Sequence, residues 1–143
     1  MGKNLEKARM ILENEDCTCV ICREDAIFRS RERGVKPLLS WLDAGIQAAG
    51  ASAADRVVGK GAAFLYVLFG VAEVYAGVLS ESARQVLEAN AIRVQYGECV
   101  PRIFNRTRTG YCPIESAVAG EEDPEKALLL IRQRLREMTE KPL

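Results

Sequence analysis

The residues with the strongest chemical potential in this 143-residue chain lie around Cys112. The stretch Asn105–Cys112 is polar and basic, and it leads into a helix start with Cys112 at the N-cap, Pro113 at the first position and Glu115 at the third. A thiol beside a helix N-terminus and arginines is a candidate nucleophile. The guanidinium of Arg106 is a candidate ligand for phosphate or carboxylate. The alternative is a solvated loop whose cysteine only caps the helix.

A second candidate is Lys60, which stands between Gly59 and Gly61 at the start of the uncharged run 62–72. An amine in apolar surroundings suits a base, a Schiff-base nucleophile or an anion ligand. The alternative is a lysine at a helix edge whose ammonium reaches solvent or pairs with Asp55. Each glycine costs a helix interior about 1 kcal/mol relative to alanine, so the pair suggests a close backbone contact or a ligand.

Ser80 and Glu81 stand where a predicted strand ends and a helix begins. Ligands of α/β sheets gather at the carboxyl ends of strands, and helix N-termini offer unpaired amides. Capping of the helix explains Ser80 without any ligand. Glu81 says more than Ser80 about a possible ligand, because its carboxylate would repel an anion.

Three cysteines, Cys17, Cys19 and Cys22, have a spacing that resembles a metal site. On a strand, Cys17 and Cys19 would face one side and Cys22 the other, so their sulfurs would not converge. We therefore predict buried structural cysteines and no metal site. The chain has no histidine, which excludes catalytic triads, Cys-His pairs and histidine-containing zinc sites within it.

Composition indicates one globular domain spanning residues 1–143. Lysine plus arginine and aspartate plus glutamate number 20 each, so no net charge favours nucleic acid or an anionic membrane. The N-terminal residues lack the apolar segment of a signal peptide, and the cysteine count of five is odd. These features predict a cytoplasmic protein with free thiols and no nucleic-acid or membrane partner; a homo-oligomer stays open.

The pattern of apolar residues predicts a three-layer α/β/α domain with a mixed sheet and a hairpin at one edge. Strands joined through helices should be parallel. The predicted elements are a helix over Asn4–Asn14, a hairpin from Cys17–Cys22 and Ala26–Phe28, a helix from Pro37, a central helix over Ala53–Val71, a strand over Glu73–Leu79, a helix from Ser80, a strand over Ile92–Tyr96, a loop over Gly97–Tyr111, a short helix from Cys112 and a last helix after Asp123.

Several short sequence segments spread over most of the chain resemble those of a small uncharacterised prokaryotic family classed as a domain of unknown function. This resemblance implies a cytidine deaminase-like fold. The matching segments are Thr18-Cys19-Val20, the segment from Glu32 to Leu39, the segment from Asp55 to Lys60, Ser80-Glu81, Asn105-Arg106-Thr107 and Cys112-Pro113-Ile114-Glu115.

The zinc motifs of deaminases are missing at the corresponding positions. Zinc deaminases open the central helix with a His or Cys and a Glu two residues later, and open the next helix with a Pro-Cys-x-x-Cys motif. Here the first position has Val58-Gly59-Lys60-Gly61-Ala62 and the second has Leu79-Ser80-Glu81-Ser82-Ala83. The resemblance therefore indicates a zinc-less relative, with no metal and no cofactor.

We expect a pocket where the helix starts at Asp55–Gly61 and Ser80–Ala83 meet the loop Asn105–Cys112. By family analogy, its occupant would be a small polar or anionic molecule, nucleotide- or base-like. The loss of the zinc motifs favours a non-catalytic binding domain. The alternative is a metal-independent enzyme with Cys112 or Lys60 as nucleophile or base, assisted by Glu81 or Glu115. The predicted ligand-binding residues are Asp55, Gly59, Lys60, Ser80, Asn105, Arg106 and Glu115.

Overall fold

The computed structural model describes residues 3–104 and 110–140, and the side chain of residue 140 is outside the description. Helices and strands follow one another in nearly the predicted order. They are α1 (Lys3–Asn14), β1 (Cys19–Arg23), β2 (Ala26–Ser30), α2 (Lys36–Asp43), β3 (Ser52–Val58), α3 (Lys60–Phe69), β4 (Glu73–Ser80), α4 (Glu81–Ala89), β5 (Arg93–Val100), α5 (Pro113–Ala117) and α6 (Pro124–Glu140).

The strands form one mixed sheet in the order β2-β1-β3-β4-β5. β1 pairs antiparallel with both β2 and β3, so the hairpin forms one edge as predicted. β3, β4 and β5 run parallel and are joined through α3 and α4, which confirms the expectation for strands connected by helices. The carboxyl ends of β3 and β4 consequently lie side by side.

Helices cover both faces of this sheet. On one face, α1 buries Leu5, Ala8 and Leu12 against residues that include Val20 and Tyr75. The larger core lies on the opposite face, where α3 packs between α4, α6 and α2. α3 has a nearly continuous apolar surface because it has neighbours on several sides. The α/β architecture with a mixed sheet is therefore as predicted.

The prediction of a single helix over Ala53–Val71 is wrong, because its first part is strand β3. A strand that is covered on both faces has no alternation of polar and apolar residues, and its alanines are equally typical of a helix. Gly59 is extended, with φ −97° and ψ −178°, and marks the turn from strand to helix. Helix α3 ends at Gly70, whose φ of 73° is the left-handed conformation that favours glycine.

One further boundary and the facing of the cysteines also differ from the prediction. β5 continues to Val100, into a segment that was predicted as loop. It is an outer strand with Gln95 to Glu98 exposed, so it lacks a hydrophobic pattern.

Cys17 and Cys22 both lie in the cluster under α1, whereas Cys19 lies in the larger core. The prediction that Cys17 and Cys19 face the same side is therefore wrong. All five cysteines are free.

Within the described residues, no helix has the length and apolarity that crossing a bilayer requires.

Candidate functional site

The carboxylate of Glu115 lies where β3 and β4 end and α3 and α4 begin. Its Oε2 atom accepts hydrogen bonds from the Lys60 backbone amide at 3.0 Å and from the Ser82 hydroxyl at 3.1 Å. The Ser80 hydroxyl also donates to Oε2. Its Oε1 atom accepts a hydrogen bond from the Ile103 amide at 3.0 Å. Glu115 therefore joins the starts of two helices to the segment that follows β5.

The local sequence explains why the carboxylate binds at this position. The first turn of a helix has amides without intrahelical partners, and the N-cap of α3, Gly59, has no side chain to satisfy them. Glu115 supplies the missing acceptor from α5. The N-cap of α4 is Ser80, whose hydroxyl accepts a hydrogen bond from the Ala83 amide at 3.2 Å, as predicted for a capping serine.

The two glycines that flank Lys60 have the close contacts that the sequence suggested. A Cβ atom at Gly59 would lie 3.3 Å from Oε2 of Glu115. A Cβ atom at Gly61 would lie 2.7 Å from Cγ2 of Ile114, closer than two non-bonded carbon atoms approach. Helix α5 therefore packs against the start of α3 at a distance that excludes a side chain at Gly61 and leaves a tight fit at Gly59.

A cavity of about 220 Å³ lies beside the Glu115 carboxylate. Its lining combines one acidic side chain, two basic side chains, two serines and one tyrosine with two small apolar residues. These residues are Lys60, Ser82, Pro101, Arg102, Tyr111, Glu115, Ser116 and Ala119.

The amine of Lys60 already has partners in this structure. Nζ donates to the Ala119 carbonyl at 2.8 Å and lies 3.6 Å from Oε2 of Glu122. Its side chain is only 7% exposed, which contradicts the alternative of an ammonium extended into solvent. The suggested pairing with Asp55 is also wrong, because the partners of Lys60 come from the segment after α5.

The cavity wall includes an exposed stack of planar side chains. The guanidinium carbon of Arg102 lies 4.3 Å from the centre of the Tyr111 ring. Tyr111 in turn stacks on Phe104, with ring centres 5.4 Å apart and an interplanar angle of 18°. The two rings are 49% and 53% exposed, so they offer aromatic surface next to the polar cavity.

Of the predicted site residues, the structure brings together Gly59, Lys60, Ser80 and Glu115. Asn105 and Arg106 lie outside the described residues. Cys112 is the N-cap of α5, and among the described residues its side chain makes no capping hydrogen bond. It packs against the large core and is not among the residues that line the cavity.

Asp55 lies on β3 rather than at a helix start, and it is buried against α3. Its Oδ2 atom accepts a hydrogen bond from the Tyr66 hydroxyl at 2.7 Å, and that hydroxyl lies 3.3 Å from the sulfur of Cys19. Burial raises the pKa of Asp55 to about 7, although the hydrogen bond from Tyr66 opposes this increase. Burial also raises the pKa of the Cys19 thiol and of the Tyr66 hydroxyl. Asp55 thus belongs to a separate polar cluster in the core.

Glu81 is also engaged away from the cavity. It accepts a hydrogen bond from the Cys99 thiol at 3.0 Å and pairs with Arg84 at 3.2 Å. These two contacts lower the pKa of the Glu81 carboxyl, the thiol having the larger effect. The pKa of the Cys99 thiol is raised by the same hydrogen bond.

The predicted ligand-binding residues did not include Ser82, Tyr111, Ser116 or Ala119. Ser82 and Tyr111 nevertheless fall within the helix start and the loop that were expected to meet at the pocket. The repeated serine of Ser80-Glu81-Ser82 was the available signal for Ser82, because both hydroxyls fall at the start of one helix. Tyr111 and the end of α5 enter the cavity only through tertiary packing. Among the described residues, no group of three or more histidine, cysteine or acidic side chains is placed to hold a metal ion.

Comparison with known proteins finds a matching family model and similarity to a solved structure. The family model TM1506, described as Domain of unknown function (DUF1893), matches residues 7–135. A crystal structure of a DUF1893 family protein (TM1506) from Thermotoga maritima is similar, with a TM-score of 0.83 and 27% sequence identity. The match covers 96% of this chain and 92% of that one. No curated protein was found to match.

Proposed function

The chain belongs to the DUF1893 family, and from the geometry of its cavity we propose that it is a small-molecule-binding domain with a zinc-less, cytidine deaminase-like fold. The hairpin at the sheet edge and the parallel pair β3 and β4, each followed by a helix, support the fold assignment. In a zinc deaminase, the starts of these two helices would hold the metal and its catalytic glutamate. In this chain, the same two helix starts instead bind the carboxylate of Glu115.

The observation that most favours ligand binding is a carboxylate fixed by four donors at the wall of a cavity. The cavity lies at the carboxyl ends of adjacent parallel strands, where α/β sheets bind their ligands. Its volume of about 220 Å³ is below the range of roughly 300–1,000 Å³ that is typical for drug-sized molecules. The ligand is therefore small and polar, of the size of one ring system, and base-like by analogy with the fold.

A thermal-shift screen tests this proposal. We expect nucleobases to raise the melting temperature of the protein more than the larger nucleosides do, with isothermal titration calorimetry confirming direct binding. Replacing Tyr111 by Ala should weaken that binding because it removes the aromatic wall of the cavity. Tyr96→Ala is the matched control, since Tyr96 is similarly exposed, at 45%, but lies on β5 outside the cavity. Equal effects of both variants, or no stabilisation by any compound, would contradict the proposal.

A metal-independent enzyme is the second candidate, favoured by the presence of both Lys60 and Glu115 in the lining of the cavity. If Lys60 is a nucleophile, borohydride should trap a Schiff base with a small aldehyde on Lys60 and not in a Lys60→Met variant. If Cys112 is the nucleophile, mass spectrometry should find it alkylated by iodoacetamide much faster than Cys99. Sluggish labelling of Cys112, together with no trapping on Lys60, would leave the binding function alone.

A further inference from the structure

We propose that Glu115 is a built-in anion that makes the cavity select against anionic ligands and in favour of planar ligands that donate N–H groups. The hydrogen-bond donors that would bind a phosphate or carboxylate at this sheet edge already bind the side chain of Glu115. The amide of Lys60 and the hydroxyls of Ser80 and Ser82 all donate to Oε2 of Glu115. The preference for a ligand class rests on the proposed function, whereas the role of Glu115 as internal anion does not.

Among the described residues, the two cationic side chains that line the cavity already have partners. The ammonium of Lys60 is engaged by the Ala119 carbonyl and lies near the carboxylate of Glu122. The guanidinium of Arg102 lies over the ring of Tyr111. An anion placed beside Glu115 would therefore meet a like charge in a partly buried site, which disfavours its binding.

The same carboxylate can accept hydrogen bonds from a ligand. An ionised carboxylate has about four acceptor positions, and among the described residues Oε1 of Glu115 receives only the amide of Ile103. A ligand N–H group can use the remaining position on Oε1. A planar ligand can also extend the stack of Arg102 and Tyr111, because guanidinium and aromatic groups stack on flat π systems. The favoured class is thus a flat, neutral or cationic molecule with N–H donors, such as an amidine or an aminopyrimidine.

Benzamidine and benzoate test this selectivity, because they have nearly the same shape and opposite charge. We expect wild-type protein to bind benzamidine roughly tenfold or more tightly than benzoate in calorimetric titrations. Glu115→Gln keeps the size of the side chain and removes its charge, so it should reduce or reverse that preference. Glu88→Gln is the matched control, because Glu88 is an exposed partner of Arg84 on α4. Equal or tighter binding of benzoate by the wild-type protein would overturn the selectivity.

Formate tests the internal anion separately from any ligand. Glu115→Ala leaves the four donors without their acceptor and should lower the melting temperature. Millimolar formate should restore part of this loss in Glu115→Ala, whereas sodium chloride at equal ionic strength should not, and Glu88→Ala should not respond to formate. Where Glu115→Ala does not fold, Glu115→Gln tests the charge without a ligand: its melting temperature should be lower than that of the wild type, whereas that of Glu88→Gln should not.

The outcomes separate the two proposals. Formate rescue of Glu115→Ala without benzamidine binding to the wild type would refute binding of this ligand class and would support the internal anion. Neither rescue nor a change of preference in Glu115→Gln would overturn the assigned role of Glu115.

Discussion

Replacing Asp55 by Asn should change the way in which stability depends on pH. Asp55 is only 6% exposed, and its carboxylate is bound by the hydroxyl of Tyr66 at 2.7 Å and, more weakly, by the amide of Val57 at 3.4 Å. Burial outweighs these hydrogen bonds and raises the pKa of Asp55 from 3.8 to about 7. The unfolded chain exposes the same carboxyl to water, where its pKa is about 3.9.

The direction of the effect follows from proton binding. Between pH 4 and pH 7, the folded protein holds a proton on Asp55 that the unfolded chain has released. Because the folded state binds more protons, the free energy of unfolding of the wild-type protein decreases as the pH increases through this window. At roughly 1.4 kcal/mol for each pH unit, the change from 3.8 to about 7 corresponds to about 4 kcal/mol.

Asparagine has nearly the same shape and does not titrate in this range. We therefore expect Asp55→Asn to gain about 4 kcal/mol relative to the wild type between pH 4 and pH 8, and to be the more stable protein at pH 8. Urea unfolding at five pH values, followed by the fluorescence of the single tryptophan Trp41, measures this difference.

Asp43→Asn is the control with the opposite sign. The hydrogen bonds of Arg132 lower the pKa of the Asp43 carboxyl, so its stabilising effect is present above about pH 4 and is lost as the pH decreases. The difference between Asp43→Asn and the wild type should therefore be constant from pH 5 to pH 8. A constant difference in the free energy of unfolding between Asp55→Asn and the wild type over the same pH range would contradict a raised pKa of the buried Asp55 carboxyl.

Three further substitutions test the packing around the site, each by urea unfolding. Gly61→Ala should lower the free energy of unfolding by about 1–3 kcal/mol, because its Cβ would lie 2.7 Å from Cγ2 of Ile114. Gly120→Ala is the control and should have little effect, because the space around Gly120 is open. Equal effects of the two substitutions would contradict the close contact at Gly61. Arg56→Met should cost about 1–3 kcal/mol, because the guanidinium donates to the carbonyl of Leu12 in α1 at 2.8 Å and to that of Cys17 after α1 at 2.6 Å. Hydrogen exchange should accelerate in α1 first, and uniform acceleration would count against this. Ser80→Ala should cost about 1–2 kcal/mol because it removes the N-cap of α4 and a donor to the site carboxylate, and an unchanged stability would contradict both roles.

Much of the fold could be predicted from local patterns. The periodic apolar residues of α1, the two β-prone runs of the hairpin and the capping serine at Ser80 all specify structure through neighbours in sequence. β3, and the part of β5 beyond Tyr96, could not be predicted in the same way. β3 is covered on both faces and β5 is largely exposed, so neither has the alternation that identifies a strand.

The candidate site shows the same division. Residue types and helix starts selected Gly59, Lys60, Ser80 and Glu115, and the structure brings these four together. Asp55 and Glu81 were also predicted from their residue types, but both bind other groups. Asp55 accepts a hydrogen bond from Tyr66, and Glu81 accepts hydrogen bonds from Arg84 and Cys99. Which chemical groups share a site depends on strand register and helix packing, and the type of a residue does not encode either.

Composition and local spacing alone specify an α/β domain that has no histidine and lacks the zinc motifs of deaminases. What binds the helix starts at the sheet edge depends instead on tertiary packing. Glu115 accepts the amide of Lys60 across 55 positions of sequence and the hydroxyl of Ser80 across 35. Only the parallel pairing of β3 with β4 and the close packing of α5 on Gly59 and Gly61 create that arrangement. Glu115, which was predicted as a ligand-binding residue, therefore connects the two helix starts at the wall of the cavity.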